Sequence, residues 1–454
     1  MRKLPKLIIL FLLFSGATSC KKYLDAKSDK ALVVISSLQD LQSILDYYQR
    51  VSQTDPNTAT AVSDDYFVKD ATYLPLHDDL KNLYTWNNQN EFQVGYGNPW
   101  SQCYDNVYKA NTVLSNIDKI MRTANNQTEW NNVKGQALFL RARGFLLAVS
   151  IWSLAYDKNT STTDLGIPLR LDPDFNTPSE RASVQQTYMQ IINDLTESIS
   201  LLPVKPLHVL RSSQTASCAL LARTYLFMRQ YDSCLKYASL SIQLNSDLLD
   251  YNGISTTPSY PFIKYRFGDN PEIIMDNLAP GSSLVSSTSR IDSILYKSYD
   301  ANDLRKTLYF KNNGDGTFIF RGAYSGQSIL WDGVSTDEVY LMRAEGYARM
   351  GKVTEAMSDV NALLGKRYKT GSFTPLTATD AADALNKVLA ERRKELLMRN
   401  LRWMDIKRLN KEGANITLQR FINGQHYALP PNDPRSALAL PIDLVSLYGL
   451  KQNP

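Results

Sequence analysis

The sequence predicts a mostly α-helical chain of paired helices, interrupted by long irregular insertions that carry a few short β-hairpins. Three observations predict it. Apolar residues recur at helical spacing in several long blocks. Two of those blocks repeat one pattern of small and large residues. Two long stretches between blocks, 52–101 and about 245–336, are rich in Gly, Pro, Asn, Ser and Tyr and show little periodicity.

The chain opens with Arg2, Lys3 and Lys6, an apolar run from Leu7 to Phe14, and the small residues Ser15 to Ser19 before Cys20. That is the layout of a secretory leader, and the run is far short of the roughly 20 apolar residues that span a bilayer. A cysteine at the expected cut marks Cys20 as a lipidation site, as in bacterial lipoproteins. The expected divisions are a leader at 1–19, a lipidated tether at 20–36 and one domain at 37–454, with an N-terminal part to 244 and a C-terminal part from 245. The formal net charge is +5, and three of the positive charges lie in the leader. The mature chain therefore has no electrostatic footprint for nucleic acid.

Ser37 begins the first helix, with Leu38, Leu41, Ile44, Leu45 and Tyr48 on one face and Asp40 placed to complete a capping box. After the irregular stretch 52–101, helical spacing returns at Tyr104, Val107, Tyr108, Asn111, Leu114 and Ile117, and again over 129–152. Residues 164–169 read as extended, and 183–202 as a helix ending before Pro203. The repeats follow. Ala222 is followed by Tyr225, Cys234, Ala238 and Ser241; Ala344 is followed at the same offsets by Tyr347, Ala356, Val360 and Leu363. This is the alternation of a tetratricopeptide helix hairpin, in which small residues let two helices approach. The copies lie far apart in sequence, so insertions must separate them. Gly314-Asp315-Gly316, flanked by Tyr309, Phe310, Phe318 and Phe320, reads as a β-hairpin. The last long helix is expected over 379–409, with a loop-rich, Pro-rich tail from Gly413.

Cys103, Cys218 and Cys234 are odd in number. On antiparallel helices Cys218 and Cys234 would lie roughly 12 Å apart along the axis, too far for the Cα separation of about 7 Å that a disulfide tolerates. All three read as small buried residues. No catalytic or metal constellation stands out: His77, His208 and His426 are scattered, and no Gly-x-Ser-x-Gly elbow occurs. No cofactor is expected. The charges from Glu391 to Arg408, with Glu395–Arg399 and Arg402–Asp405 at helical spacing, read as a structural network.

Several segments, in order along the chain, resemble the SusD/RagB family of Bacteroidetes outer-membrane lipoproteins. They include Cys20-Lys-Lys-Tyr-Leu-Asp25, Ser63-Asp64-Asp65, Trp100-Ser-Gln-Cys-Tyr104, Asp164-Leu-Gly-Ile-Pro-Leu169, Asn270-Pro-Glu-Ile-Ile274 and Tyr340-Leu-Met-Arg-Ala-Glu345. Glu391-Arg-Arg-Lys-Glu395, Arg402-Trp-Met-Asp-Ile-Lys-Arg408 and Leu438-Ala-Leu-Pro-Ile442 complete the set. The resemblance implies a SusD-like fold on tetratricopeptide-like helix pairs, a lipid anchor in the outer membrane, and a SusC-like TonB-dependent transporter as partner. It also implies capture of a nutrient, most often a glycan, on irregular loops. A peptide ligand, or a pure interaction scaffold, are the alternatives, and a glycan hydrolase is the least favoured.

A sugar ring offers an apolar C–H face to an aromatic plane and hydroxyl edges to Asn, Asp or Arg. On that chemistry the expected ligand residues are Asp79, Tyr84, Trp86, Asn87 and Asn88 in the first irregular stretch. Tyr296, Tyr299, Tyr324 and Trp331 are expected from the second. Tyr96 belongs to the same aromatic group, whereas Trp100 opens a helix and reads as core.

Overall fold

The computed structural model describes residues 35–265, 269–285 and 287–454. The leader, Cys20 and most of the expected tether lie outside them. Ser37 caps α1 (Leu38–Leu45): its hydroxyl accepts the Asp40 backbone N–H at 3.1 Å, and the Asp40 carboxylate accepts the Ser37 N–H at 3.0 Å. Two donors that the helix leaves orphaned are thereby satisfied. α1 lays Leu38, Leu41 and Leu45 on α2 (Pro99–Ile117) and α3 (Gln127–Trp152). α4 (Val184–Leu201) opens on a second capping box, Ser183 with Gln186.

α5 (Gln214–Phe227) and α6 (Tyr231–Leu244) form the first repeated hairpin, α7 (Thr336–Arg349) and α8 (Val353–Leu364) the second. Each helix from α2 to α7 packs on its successor. The two repeats are therefore neighbours: α6 lies against α7, and residues 245–335 leave the helical array and return to it. Gly346 permits this approach, since a Cβ there would lie 3.0 Å from the Leu235 Cβ. The small repeat positions Ala222, Cys234, Ala238, Ala344 and Ala356 are all fully buried. Ala344→Leu should overpack the interface and cost about 1–3 kcal/mol. An unchanged thermal midpoint would show that the site has slack the close contact denies.

The single helix expected over 379–409 is two, α9 (Ala381–Glu395) and α10 (Arg402–Asn410). Met398 and Asn400 adopt positive φ, 60° and 62°. A remote partner holds the turn: the Asn400 N–H donates to Thr60 Oγ1 at 3.1 Å, and the Thr60 N–H donates to Asn400 Oδ1 at 3.0 Å. The expected local ion pairs give way to long-range ones. Glu395 meets Arg305 and Arg367, Arg399 meets Asp337, and Arg402 meets Asp64. Asp405 joins Arg392 and Arg408, and Arg408 also clasps Glu345. The cluster is a structural network, but it ties helices and loops together instead of decorating one helix. Cys103, Cys218 and Cys234 are free and buried.

Two-stranded antiparallel ladders lace the irregular segments. β1 (Tyr66–Phe67) pairs with β6 (Arg290–Ile291), and β2 (Leu165–Pro168) with β3 (Arg181–Ser183). β4 (Ile273–Met275) pairs with β10 (Val334–Ser335), β5 (Leu278–Ala279) with β9 (Leu330–Trp331), and β7 (Phe310–Asn312) with β8 (Phe318–Phe320). The last pair is the hairpin expected at Gly314. β11 (Leu418–Ile422) and β12 (Gln425–Leu429) form a hairpin within the loop-rich tail. The stretch 52–101 is less irregular than its composition suggests, with short helices at Thr58–Ala61, Asp70–Tyr73 and Asp78–Tyr84.

Glu91 is buried in this stretch and accepts the Ala439 N–H at 2.8 Å. Burial pushes its carboxyl up to about 8, from an ordinary 4.5. The folded chain thus binds a proton that the unfolded chain releases, and stability falls as pH rises through that window. Glu91→Gln keeps the shape without the titration. Its melting temperature relative to wild type should rise from about pH 5 to about pH 9; a constant difference would show that Glu91 does not titrate on unfolding.

Candidate functional site

The expected ligand aromatics are mostly inside. Tyr84, Trp86, Tyr299, Tyr324 and Trp331 are buried, and each polar tip has an internal partner. Trp86 Nε1 donates to the Val62 carbonyl at 3.0 Å, and Tyr84 Oη accepts the Val68 N–H at 3.0 Å. Tyr299 donates to the Lys394 carbonyl at 2.8 Å, Tyr324 to Glu272 at 2.5 Å and Trp331 to Asp276 at 2.7 Å. The ring faces are occupied by the protein's own cations. The Arg420 guanidinium lies 4.4 Å from the Tyr84 centroid and 4.8 Å from that of Trp86. Arg399 lies 4.3 Å from Tyr324 and 5.2 Å from Trp331. In the free chain these five side chains hold the loops in place and present no plane to solvent.

The remaining expected residues stay nearer the surface. Asp79 is half-buried and bonds His77. Asn87 and Asn88 are exposed, with Asn87 Nδ2 donating to Asn82 Oδ1 at 3.1 Å. Tyr296 is half-buried and stacks on Phe318 with centroids 3.6 Å apart.

The structure does bring the two irregular stretches together. β1 pairs with β6, the Asp292 N–H donates to the Asp65 carbonyl at 2.9 Å, and Lys69 meets Asp315 at 2.6 Å. Two depressions mark the seam and the adjoining hairpin. The larger, about 620 Å³ and open, runs between Thr72, Pro75 and Leu76 on one side and Ser282, Ser283 and Thr288 on the other. The smaller, about 270 Å³, sets Tyr260 and Phe320 beside Lys311, Arg321 and Gln327. Arg321 holds the wall of this cleft, donating to the carbonyls of Thr256 and Pro258 at 3.3 Å and of Thr307 at 2.7 Å. Lys311 and Gln327 are exposed. An aromatic plane with amide and ammonium groups around it can orient a ring that is apolar on its face and polar at its edge. Among the described residues, no Asp or Glu lines either depression.

Sequence reasoning missed Tyr260, Lys311, Arg321 and Gln327. It placed Phe320 only in a hairpin. A usable signal was there for Phe320: in a strand, 318 and 320 share one face, and an aromatic pair on one face of a two-stranded hairpin must cover something.

Comparison with known proteins places this arrangement. Residues 22–226 match a family model described as SusD-like, starch-binding and associating with the outer membrane, and residues 337–436 match the SusD family model. The chain belongs to the SusD family. The fold agrees with solved members. A SusD superfamily protein from Bacteroides thetaiotaomicron is 18% identical with TM-score 0.74, covering 92% of this chain and 100% of that one. A SusD-like carbohydrate-binding protein from Bacteroides vulgatus is 18% identical with TM-score 0.63, over 91% and 97%. A laminarin-binding SusD-like protein is 15% identical with TM-score 0.63, over 92% and 98%. No curated protein sequence matches the chain. Among the described residues of this SusD-family chain, no helix is long and apolar enough to cross a membrane.

Proposed function

We propose that this SusD-family protein is a non-enzymatic, lipid-anchored subunit of the outer membrane that binds a glycan on its loop face and passes it to a SusC-like TonB-dependent transporter. The observation that carries the reading is the cleft of the second irregular stretch beside its seam with the first, where half-buried Tyr260 and Phe320 lie with exposed Lys311 and Gln327. The carbohydrate binding named for two of its structural relatives supports the ligand class. Cys20, after removal of 1–19, supplies the anchor, and 20–36 the tether. Stable anchoring needs more than one acyl chain.

Calorimetric titration of the protein against laminari-, malto-, cello- and xylo-oligosaccharides, with mixed peptides alongside, tests the class. One saccharide series should bind. The variant Tyr260→Ala should bind it about tenfold more weakly, at an unchanged melting temperature. Binding of peptides and of no saccharide would replace the glycan reading with a peptide one.

A further inference from the structure

A second concave surface shares no lining residue with either depression of the loop face. It is a trough of about 780 Å³ between the N-terminal half of α2, the loop 168–179 and the chain end at 444–450. Its surface is aromatic. Phe175 is 79% exposed, Tyr96 75%, Tyr448 69% and Tyr108 40%. The Tyr108 and Phe175 rings stack with centroids 4.9 Å apart, and Trp100 stacks on Tyr104 at 4.7 Å. Rings this exposed and this close together are unusual on a surface that meets only water.

The trough is held in shape. Tyr104 donates to the Pro168 carbonyl at 2.8 Å. Arg170 folds the loop around itself, donating to the Thr177 carbonyl at 2.5 Å, to Ser179 Oγ at 2.9 Å and to the Asp174 carbonyl. Asn111 Nδ2 donates to the Arg170 and Asp172 carbonyls at 2.8 and 3.2 Å, and Arg141 in turn donates to Asn111 Oδ1 at 3.1 Å. Phe175 is thus carried by a loop braced from the helices beneath, and a ligand need not order it on binding.

The chemistry points to a neutral ligand. The charged lining residues have partners: Asp105 pairs with Lys109, Arg170 is spent on the loop's own oxygens, and Asp172 accepts the Asp174 N–H at 2.9 Å. What faces the trough is ring planes with phenol hydroxyls at their edges. The volume lies within the ~300–1,000 Å³ usual for small-ligand sites. We propose that this trough is a second saccharide site, taking a neutral oligosaccharide whose ring faces stack on Tyr108, Phe175 and Tyr448. The inference stands on the trough's own residues and does not require the loop face to bind.

The test maps tyrosine nitration by tetranitromethane in the intact protein, with and without laminarihexaose, maltohexaose, cellohexaose or xylohexaose. At least one of these should protect Tyr96, Tyr108 or Tyr448. The double variant Tyr108→Ala with Phe175→Ala should then bind that sugar about tenfold more weakly at an unchanged melting temperature. Protection of Tyr260 alone would support the loop face and overturn the trough. Protection by none of the four overturns it as well, and so does protection seen only with solubilised outer-membrane proteins, which would make the trough a protein-docking surface.

Discussion

Arg367→Met should destabilise the folded chain by about 3–5 kcal/mol, the usual cost of stranding a buried partner charge. Arg367 is fully buried where the insertion meets the helices. Its guanidinium bonds Glu395 of α9 and Glu272 of the insertion, each at 2.7 Å, and the Leu249 carbonyl at 2.8 Å. Its plane lies 4.0 Å from the Tyr251 centroid. Met fills similar space but leaves both carboxylates without this partner. Glu395 keeps Arg305, and Glu272 keeps the Tyr324 hydroxyl. Burial already pushes Glu272 up to about 7, so without the arginine it takes a proton more readily still. The destabilisation should therefore be smaller in urea titrations at about pH 5 than at about pH 8. A loss below about 1 kcal/mol at both would mean that the insertion is held by its ladders and apolar contacts alone.

Trp86→Ala should cost a similar amount, about 3–5 kcal/mol, as truncation of a buried aromatic does. The ring is wholly buried, and the residue sits at φ 54°, where its indole reaches back to the Val62 carbonyl. The Arg420 cation loses one of its ring neighbours as well. Trp86→Phe keeps a plane for Arg420 and loses the indole hydrogen bond, so it should cost less, about 1 kcal/mol for the bond itself. Thermal melts of both variants check the order. A stable Trp86→Ala chain with weakened saccharide binding would turn this residue back into a ligand contact.

These two side chains show where sequence reading stops. The helices were legible because each needs only local information: apolar periodicity, and caps such as Ser37 and Ser183 that act within one turn. The repeat was legible for the same reason, since small residues at fixed offsets report helix contact wherever the partner lies. The break between α9 and α10 was not, because Thr60 and Asn400, 340 residues apart, hold it. The β11–β12 hairpin carried a readable Asn423-Gly424 turn, but its strand hides the polar alternation of a half-buried strand, since Arg420 is buried and Phe421 exposed. In the candidate site, the two irregular stretches could be singled out by composition. Which of their aromatics face outward could not, because Arg399 and Arg420 arrive on those rings from distant parts of the chain. Tyr96, singled out with the same group, is exposed in the trough instead.

The central claim, that a glycan is bound where the two irregular stretches meet, is tested most directly by hydrogen–deuterium exchange of the intact protein with and without the saturating oligosaccharide that titration identifies. The account predicts slower exchange in 70–76, 281–285 and 318–328, with the helices α4 to α8 unchanged. Slower exchange confined to segments outside that face would contradict it.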